Sequence, residues 1–186
     1  MKTYEPEDVR MFVDGQEVTP VSATELIVKP KISYEAFDTY PVQEIPIKVK
    51  KVDRLATIPQ YAHEGDAGFD LCSVDAVELQ PGETKVISTG LKMAIPRGYE
   101  VQVRPRSGMS LKTSLRITNS PGTIDSPYRG VVGIILQNTG KKTLHIDIGD
   151  RVAQGILNRV PQAAFVEVED LDETTRGEGG FGHTGR

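Results

Sequence analysis

Five short clusters place carboxylates, arginines, hydroxyls and glycines where loops are expected. They lie at 67–71, 105–110, 119–130, 149–154 and 176–186. In the second cluster, Arg106 presents a planar fork of donors suited to phosphate oxygens. Ser107 and the neighbouring backbone N–H groups add shorter donors. Taken alone, these residues indicate either an anion-binding turn or an ordinary charged turn.

The other clusters contain acids, aromatic rings and flexible backbone. Asp70 begins an apolar strand in the first cluster, and the third cluster carries Asp125 followed three residues later by Tyr128. The last 11 residues contain five glycines. Glycine leaves a chain end conformationally free and lets its backbone approach a ligand closely. The tail is therefore either a disordered terminus or a closing segment.

Several other classes of site are excluded. The stretch 140–143 lacks the glycine and the hydroxyl residue that a Walker phosphate loop requires. His63, His145 and His183 lack the spacing of zinc ligands, and His145 fits the surface of a strand. Cys72, the only cysteine, is expected to be a small buried side chain, and it points to a reducing cytoplasm.

Short strands separated by turns must position these clusters. Alternating apolar residues between Gly, Pro, Asn and Asp favour an all-β barrel or jelly roll. Only one short helix is expected, near 107–114, with Ser107 as its N-cap. The predicted strands are 45–52, 77–80, 84–95, 99–104, 131–137, 143–148, 152–160 and 164–168.

The length of 186 residues and the composition predict a globular chain with one main domain. A net charge of −4 argues against nucleic acid as a partner. No apolar run approaches the roughly 18 residues of a membrane span. Residues 1–45 form an N-terminal extension of unknown role, with a β-hairpin around Asp14 and Gly15.

Taken in order, the five clusters closely resemble the signature motifs of the trimeric dUTP pyrophosphatase (dUTPase) family. The resemblance implies a distorted jelly-roll β-barrel over 46–175 and a mobile, glycine-rich lid at 176–186. It also implies hydrolysis of dUTP to dUMP and pyrophosphate by water attack on the α-phosphorus. This reaction limits uracil incorporation into DNA and supplies dUMP for thymidylate synthesis.

The resemblance assigns roles around the phosphates. Asp125 matches the carboxylate that activates the water, and Asp70 matches one that supports the site, although a purely structural ion pair remains open for Asp70. Mg²⁺ is expected to be held mainly by phosphate oxygens and waters, with Asp70 through a water as the candidate protein contact. The matched phosphate-binding residues are Arg106, Ser107, Gly108 and Gln154.

For the nucleoside, the resemblance implies a hairpin whose backbone reads uracil. Tyr128 matches the ring under the deoxyribose, where a 2′-hydroxyl would collide. In the tail, Arg176 matches the γ-phosphate contact and Phe181 the ring that stacks on uracil, with Gly182 and His183 beside them. The residues matched to the hairpin and its neighbouring strand are Asn119, Gly122, Thr123, Ile124 and Gly133.

By the same resemblance, the protein is a homotrimer in which three subunits share each active site. Two other functions remain open at this stage. A dCTP deaminase shares the fold but needs a glutamate near the hairpin, and none stands beside 125–128. A binding or regulatory protein on the same scaffold would not need Asp125, Tyr128, Arg176 and Phe181 together.

Overall fold

The computed structural model describes residues 11–13, 16–18, 43–183 and 185. The chain divides into two units, Met1–Glu44 and Ile45–Arg186. In the first unit, β1 (Met11–Val13) pairs antiparallel with β2 (Gln16–Val18). This pairing confirms the predicted hairpin, while its turn residues and the rest of the extension lie outside the described residues.

Short antiparallel strands and the helix α1 (Ser107–Lys112) build the described part of the second unit. The predicted all-β class is therefore confirmed. The strands are β3 (Lys48–Lys51), β4 (Phe69–Cys72), β5 (Val77–Leu79), β6 (Thr84–Ser88), β7 (Leu91–Ala94), β8 (Tyr99–Arg104), β9 (Leu115–Ile117), β10 (Gly122–Asp125), β11 (Gly133–Asn138), β12 (Leu144–Ile146) and β13 (Arg151–Arg159).

These strands form small sheets of the kind found in jelly rolls. One sheet has the order β10-β8-β13-β4, a second has the order β6-β11-β9, and two strand pairs, β12-β5 and β3-β7, complete the second unit. All of these pairings are antiparallel. The order leaves β10 at one edge of the four-stranded sheet and β4 at the other.

Alternation along the strands creates the core. Val101 and Val103 of β8 point inward, as do Ile134 and Leu136 of β11, and each is at most 5% exposed. Burying a side chain of this kind contributes about 1.5–3 kcal/mol. The opposite face of β8, β13 and β4 carries the polar side chains, so the alternation places polar groups together on the outer face of this sheet.

Two strand predictions need correction. The predicted strand 84–95 is divided into β6 and β7 at Gly90, which has φ +63°. A side chain there would meet neighbouring atoms at 2.7–3.0 Å, so only glycine fits this bend. The prediction of a strand at 164–168 is wrong, because that segment is exposed and pairs with no strand among the described residues.

The short helix begins as expected, but its cap differs. Arg106, not Ser107, occupies the N-cap position, with extended backbone angles and no side-chain cap bond. The Arg106 side chain forms an ion pair with Asp70, and Ser107 is the first helical residue. Within the described residues, no helix has the length and apolar character needed to cross a membrane.

Candidate active site

An open cavity of about 320 Å³ lies where β4, α1 and β13 meet the loop that precedes β4. The inner faces of β4 and β13 are buried, so their outer side chains project toward this cavity beside the first turn of α1. It is lined by Ala62, Asp66, Ala67, Gly68, Asp70, Arg106, Ser107, Gly108, Arg151, Gln154 and Ile156.

One carboxylate organises the positive charge of the cavity. Asp70 Oδ1 lies 2.7 Å from Arg106 Nε, and Asp70 Oδ2 lies 3.1 Å from Arg151 Nη1. Arg106 Nη1 also donates to the carbonyl oxygen of Arg151, at 3.4 Å. A guanidinium has five N–H donors, so each arginine retains donors that are free for an anion.

Gln154 is held against the floor of the cavity. It stands directly opposite Asp70 in the β4–β13 register, and its Nε2 donates to the Pro105 carbonyl at 2.9 Å. A side chain at Gly68 would lie 2.5 Å from Gln154 Oε1. A residue larger than glycine at 68 would therefore displace the Gln154 amide.

The cavity brings together five of the residues expected to do chemistry. Asp70, Arg106, Ser107, Gly108 and Gln154 all line it. Within one chain, the remaining predicted residues do not join them. Neither the hairpin that contains Asp125 nor the described part of the tail contributes to the lining.

The hairpin presents a free strand edge. Strand β10 pairs with β8 on one side only, and it lies at the end of the four-stranded sheet as far as the chain is described. The outward N–H and C=O groups of an edge strand remain available for another partner. Its residues alternate between buried Gly122 and Ile124 and exposed Thr123 and Asp125.

Close contacts shape both ends of this hairpin. At one end, a side chain at Gly122 would lie 3.0 Å from Asn119 Nδ2. At the other end, the Tyr128 backbone N–H donates to the Asp125 carbonyl at 3.1 Å, and Tyr128 Oη donates to the Val131 carbonyl at 3.0 Å. The Tyr128 ring, 45% exposed, lies over Gly130, where any side chain would collide with it.

Gly133 lies on β11, the next strand along the chain, which belongs to the three-stranded sheet and not to the sheet of β10, and it is exposed. Its Cα is covered by Val86, because a Cβ at 133 would lie 2.7 Å from Val86 Cγ1. Gly133 pairs with Ser88 of β6. A side chain at 133 would therefore displace the exposed Val86 side chain.

The described part of the tail consists of tight turns. Arg176 Nε donates to the Gly179 carbonyl at 3.0 Å, and His183 Nδ1 lies 3.0 Å from the Gly180 carbonyl. Gly182 adopts φ +78°, which favours glycine. Phe181 is fully exposed to solvent.

Cys72 differs from the expectation of a buried side chain. It is half-buried, because it shares the outer face of β4 with Asp70 and stands opposite Arg151. Burial raises the pKa of its thiol, and the charge of Asp70 raises it further, while Arg151 and Arg106 oppose the increase. Its thiol therefore favours the neutral form.

His145 agrees with its prediction as a residue on a strand surface. It lies on β12 opposite Glu78 of β5. The His145 Nδ1 atom is 3.4 Å from Glu78 Oε1, and both side chains are exposed.

Sequence reasoning did not single out Arg151 or Asp66 as site residues. Both line the cavity. The signal for Arg151 was its position inside the fourth cluster, three residues before Gln154. Asp66 stands just before the first cluster, and its Oδ2 accepts the His63 backbone N–H at 2.9 Å.

The donor set around the cavity suits a metal held mainly by phosphates. Among the described residues, no group of three or more His, Cys, Asp or Glu side chains could hold a metal ion. Each Asp70 oxygen accepts from an arginine and keeps one lone pair for a metal-bound water. Mg²⁺ commonly binds through one or two carboxylates together with substrate phosphates.

Comparison with known proteins adds sequence relatives over most of the chain. Residues 46–185 match the family model described as dUTPase. A deoxyuridine 5′-triphosphate nucleotidohydrolase of Wolinella succinogenes is 48% identical over 145 residues, covering 78% of this chain and 97% of the relative. The enzyme of the same name from Trichodesmium erythraeum is 48% identical over 139 residues, covering 75% of this chain and 98% of the relative.

Solved structures agree with the fold. The dUTPase of Staphylococcus bacteriophage 80alpha with dUpNHpp has a TM-score of 0.72 and 30% identity, covering 76% of this chain and 99% of that one. A dUTPase of the S. aureus phage phi11, described with a structural Mg(II) ion, has a TM-score of 0.66 and 28% identity, covering 69% and 100%. With a family model spanning 46–185 and relatives matched over nearly their whole length, this chain belongs to the dUTPase family.

Proposed function

We propose that this protein hydrolyses dUTP to dUMP and pyrophosphate by water attack on the α-phosphorus. The observation that carries the proposal is the cavity in which Arg106, Ser107, Gly108 and Gln154 gather around Asp70. Relatives named deoxyuridine 5′-triphosphate nucleotidohydrolase support the substrate. Phosphoanhydride hydrolysis needs positioned groups and charge neutralisation more than covalent chemistry from the protein.

The phosphates bind in the cavity. Arg106 and Ser107 supply donors to phosphate oxygens, and Gly108 lets the first turn of α1 approach them without a side chain in the way. Gln154, held by the Pro105 carbonyl, adds an amide donor or acceptor at the cavity floor. When Mg²⁺ is bound, it neutralises triphosphate charge, and Asp70 can meet one of its waters.

The uracil and the sugar bind at the hairpin. The free edge of β10 offers fixed backbone donors and acceptors to the pairing edge of the base. Cytosine would leave these groups mispaired, and such mispairing discriminates more strongly than apolar fit. Tyr128, fixed by its bond to Val131 and by Gly130, forms the wall under the deoxyribose.

Asp125 orients the attacking water through its carboxyl group. Its exposed side chain lies on the outer face of β10, opposite Glu100 of β8. In the same sheet, Gln154 pairs with Arg104, four residues further along β8. This separation is about 13 Å along the strand and about 10 Å across two strand spacings.

That separation supports a homotrimer with shared sites. Asp125 and the cavity of one chain are too far apart to act on the same phosphate. Further support comes from the exposed apolar segment that follows β13, where Phe165 and Leu171 are 97% and 85% exposed. A second copy would shield these side chains from water and place its hairpin over the cavity.

The tail closes the assembled site. Arg176 adds a charge for the γ-phosphate, and Phe181, fully exposed in the chain, stacks on uracil. Gly182 and His183 allow and support the closed conformation, which excludes water from the reaction. The free Cys72 thiol supports the cytoplasm as the compartment.

The test is pyrophosphate release from a panel of deoxynucleoside triphosphates and UTP, with and without Mg²⁺. Of these nucleotides, we expect only dUTP to be hydrolysed at a substantial rate, and we expect that rate to decrease greatly when the metal is chelated. Release of ammonia from dCTP would instead support a deaminase. Nucleotide binding without turnover would support a regulatory role, and either result would refute the proposal.

A further inference from the structure

A β-bulge in β13 controls which side chain meets Asp70. Gln154 pairs with Asp70 and Ala153 with Leu71, so a regular ladder would place Val152 opposite Cys72. The register shifts, and Arg151 takes that position instead. Val152 and Ala153 are both fully buried, whereas Arg151 emerges on the outer face beside Asp70. Bulges commonly reorient a side chain next to an active site.

The reoriented Arg151 is connected to Arg106 in two ways, one through Asp70 and one directly. Its guanidinium binds Asp70 Oδ2 at 3.1 Å, while Asp70 Oδ1 binds Arg106 Nε at 2.7 Å. In addition, its backbone carbonyl accepts from Arg106 Nη1 at 3.4 Å. Nε and Nη1 of Arg106 therefore each have a partner, and Nη2 is the nitrogen that keeps both of its donors for the phosphates.

We infer that Arg151 is a positioning residue that acts through Asp70 to hold the free edge of Arg106 toward the substrate phosphates. Without Arg151, Asp70 Oδ2 has no partner on its outer side. The carboxylate can then rotate and take both Nε and Nη2 of Arg106 in a bidentate pair. That rearrangement removes Nη2 from the cavity. The inference rests on the proposed phosphate-binding function of this site.

The first test is a double-mutant cycle on the full-length protein, read by the binding of inorganic tripolyphosphate in calorimetry. Arg151→Gln should weaken binding about tenfold. In an Asp70→Asn background, the same substitution should change the Kd less than about twofold, because the intermediary is already disabled. Arg97→Gln, a matched charge removal at an exposed turn, should leave the Kd unchanged.

The conservative variant Arg151→Lys provides a second test, because it retains a positively charged donor for Asp70, whereas Arg151→Gln offers only a neutral amide. We expect its Kd to return to within about threefold of the wild-type value, with an unchanged Tm. Equal effects of Arg151→Gln in both backgrounds would mean a direct phosphate contact and overturn the positioning role. A lowered Tm with an unchanged Kd would mean a structural role only and would equally overturn it.

Steady-state kinetics with dUTP separate this inference from the proposed function. Arg151→Gln should raise KM together with the tripolyphosphate Kd, while Arg151→Lys recovers both. Wild-type protein that releases no pyrophosphate from dUTP would refute the proposed function. The double-mutant cycle on tripolyphosphate binding would still test the role of Arg151. Normal dUTP turnover with an additive cycle would refute only the role of Arg151.

Discussion

Replacing Phe165 and Val166 with serine should dissociate the proposed trimer without unfolding the subunit. These residues lie in the segment after β13, where the side chains are 97% and 79% exposed, respectively. Neither belongs to the buried core, so their removal costs the single subunit little. Exposed apolar side chains clustered in one segment are instead expected to pack against a partner.

The magnitude follows from the area that assembly would bury. Covering one large apolar side chain contributes about 1.5–3 kcal/mol. The double substitution therefore removes roughly 3–6 kcal/mol of association free energy for each copy of the segment after β13, called the arm below. This corresponds to a decrease of about 10²–10⁴ in the association constant of each interface. Incomplete burial at an interface makes these figures upper values.

The assay is molar mass by light scattering across a wide range of protein concentrations, in parallel with dUTP turnover. We expect the wild-type protein to remain trimeric and the double variant to dissociate on dilution, losing turnover in the same range. Ile148→Ser is the control, since Ile148 is 49% exposed outside the segment. A double variant with unchanged mass and unchanged specific activity on dilution would refute the role of the arm.

Three further predictions concern the site. Asp125→Asn should lower kcat by roughly 10²–10⁴ with dUpNHpp affinity preserved, and near-normal turnover would exclude water activation by this residue. Deleting 177–186 should leave the Tm unchanged but lower kcat/KM at least about tenfold, and identical kinetics would refute a closing tail. Because burial raises the pKa of Cys72, only a small fraction of it is thiolate near neutral pH. The rate of its alkylation should therefore rise at a higher pH than that of a fully exposed cysteine, and the pH profile of an exposed cysteine would contradict this.

The elements that could be predicted from the sequence are the strands whose ends are marked by turn residues next to them in the chain. Alternation and Gly or Pro turns located β8, β12 and β13 to within a few residues. The split of 84–95 at Gly90 was missed because the crowding there comes from residues distant in sequence. The short β9 was missed because only Thr113 and Ser114 separate it from α1, so no Gly or Pro turn marks its start.

The error at 164–168 has a different origin. Valine and glutamate alternate over 166–169, which is typical of a strand, but a strand also requires a partner for its backbone. The described chain provides none at that place. Local pattern and local structure therefore disagree at 164–168, and in the proposed trimer a second subunit would have to supply the partner.

The residues of the candidate site also differ in whether the local sequence could identify them. Asp70, Arg106 and Gln154 could be grouped from sequence only through the family resemblance, and the structure brings them within one cavity. Arg151 stands in the fourth cluster, but its orientation toward Asp70 could not be predicted, because it depends on a one-residue register shift in β13. Such a shift arises from the pairing of whole strands and leaves no mark in the local pattern.

The distance between Asp125 and its own chain's cavity links catalysis to assembly. Asp125 lies two strands across the sheet and four residues along it from Gln154, which lines the cavity. From there its carboxylate cannot reach a water beside a phosphate held by Arg106. Either Asp125 has no catalytic role, or a second subunit provides it. The second alternative predicts that mixing Asp125→Asn subunits with Arg106→Gln subunits restores turnover, since a mixed trimer contains sites with both residues intact. Two variants that remain inactive after verified subunit exchange would exclude a shared site.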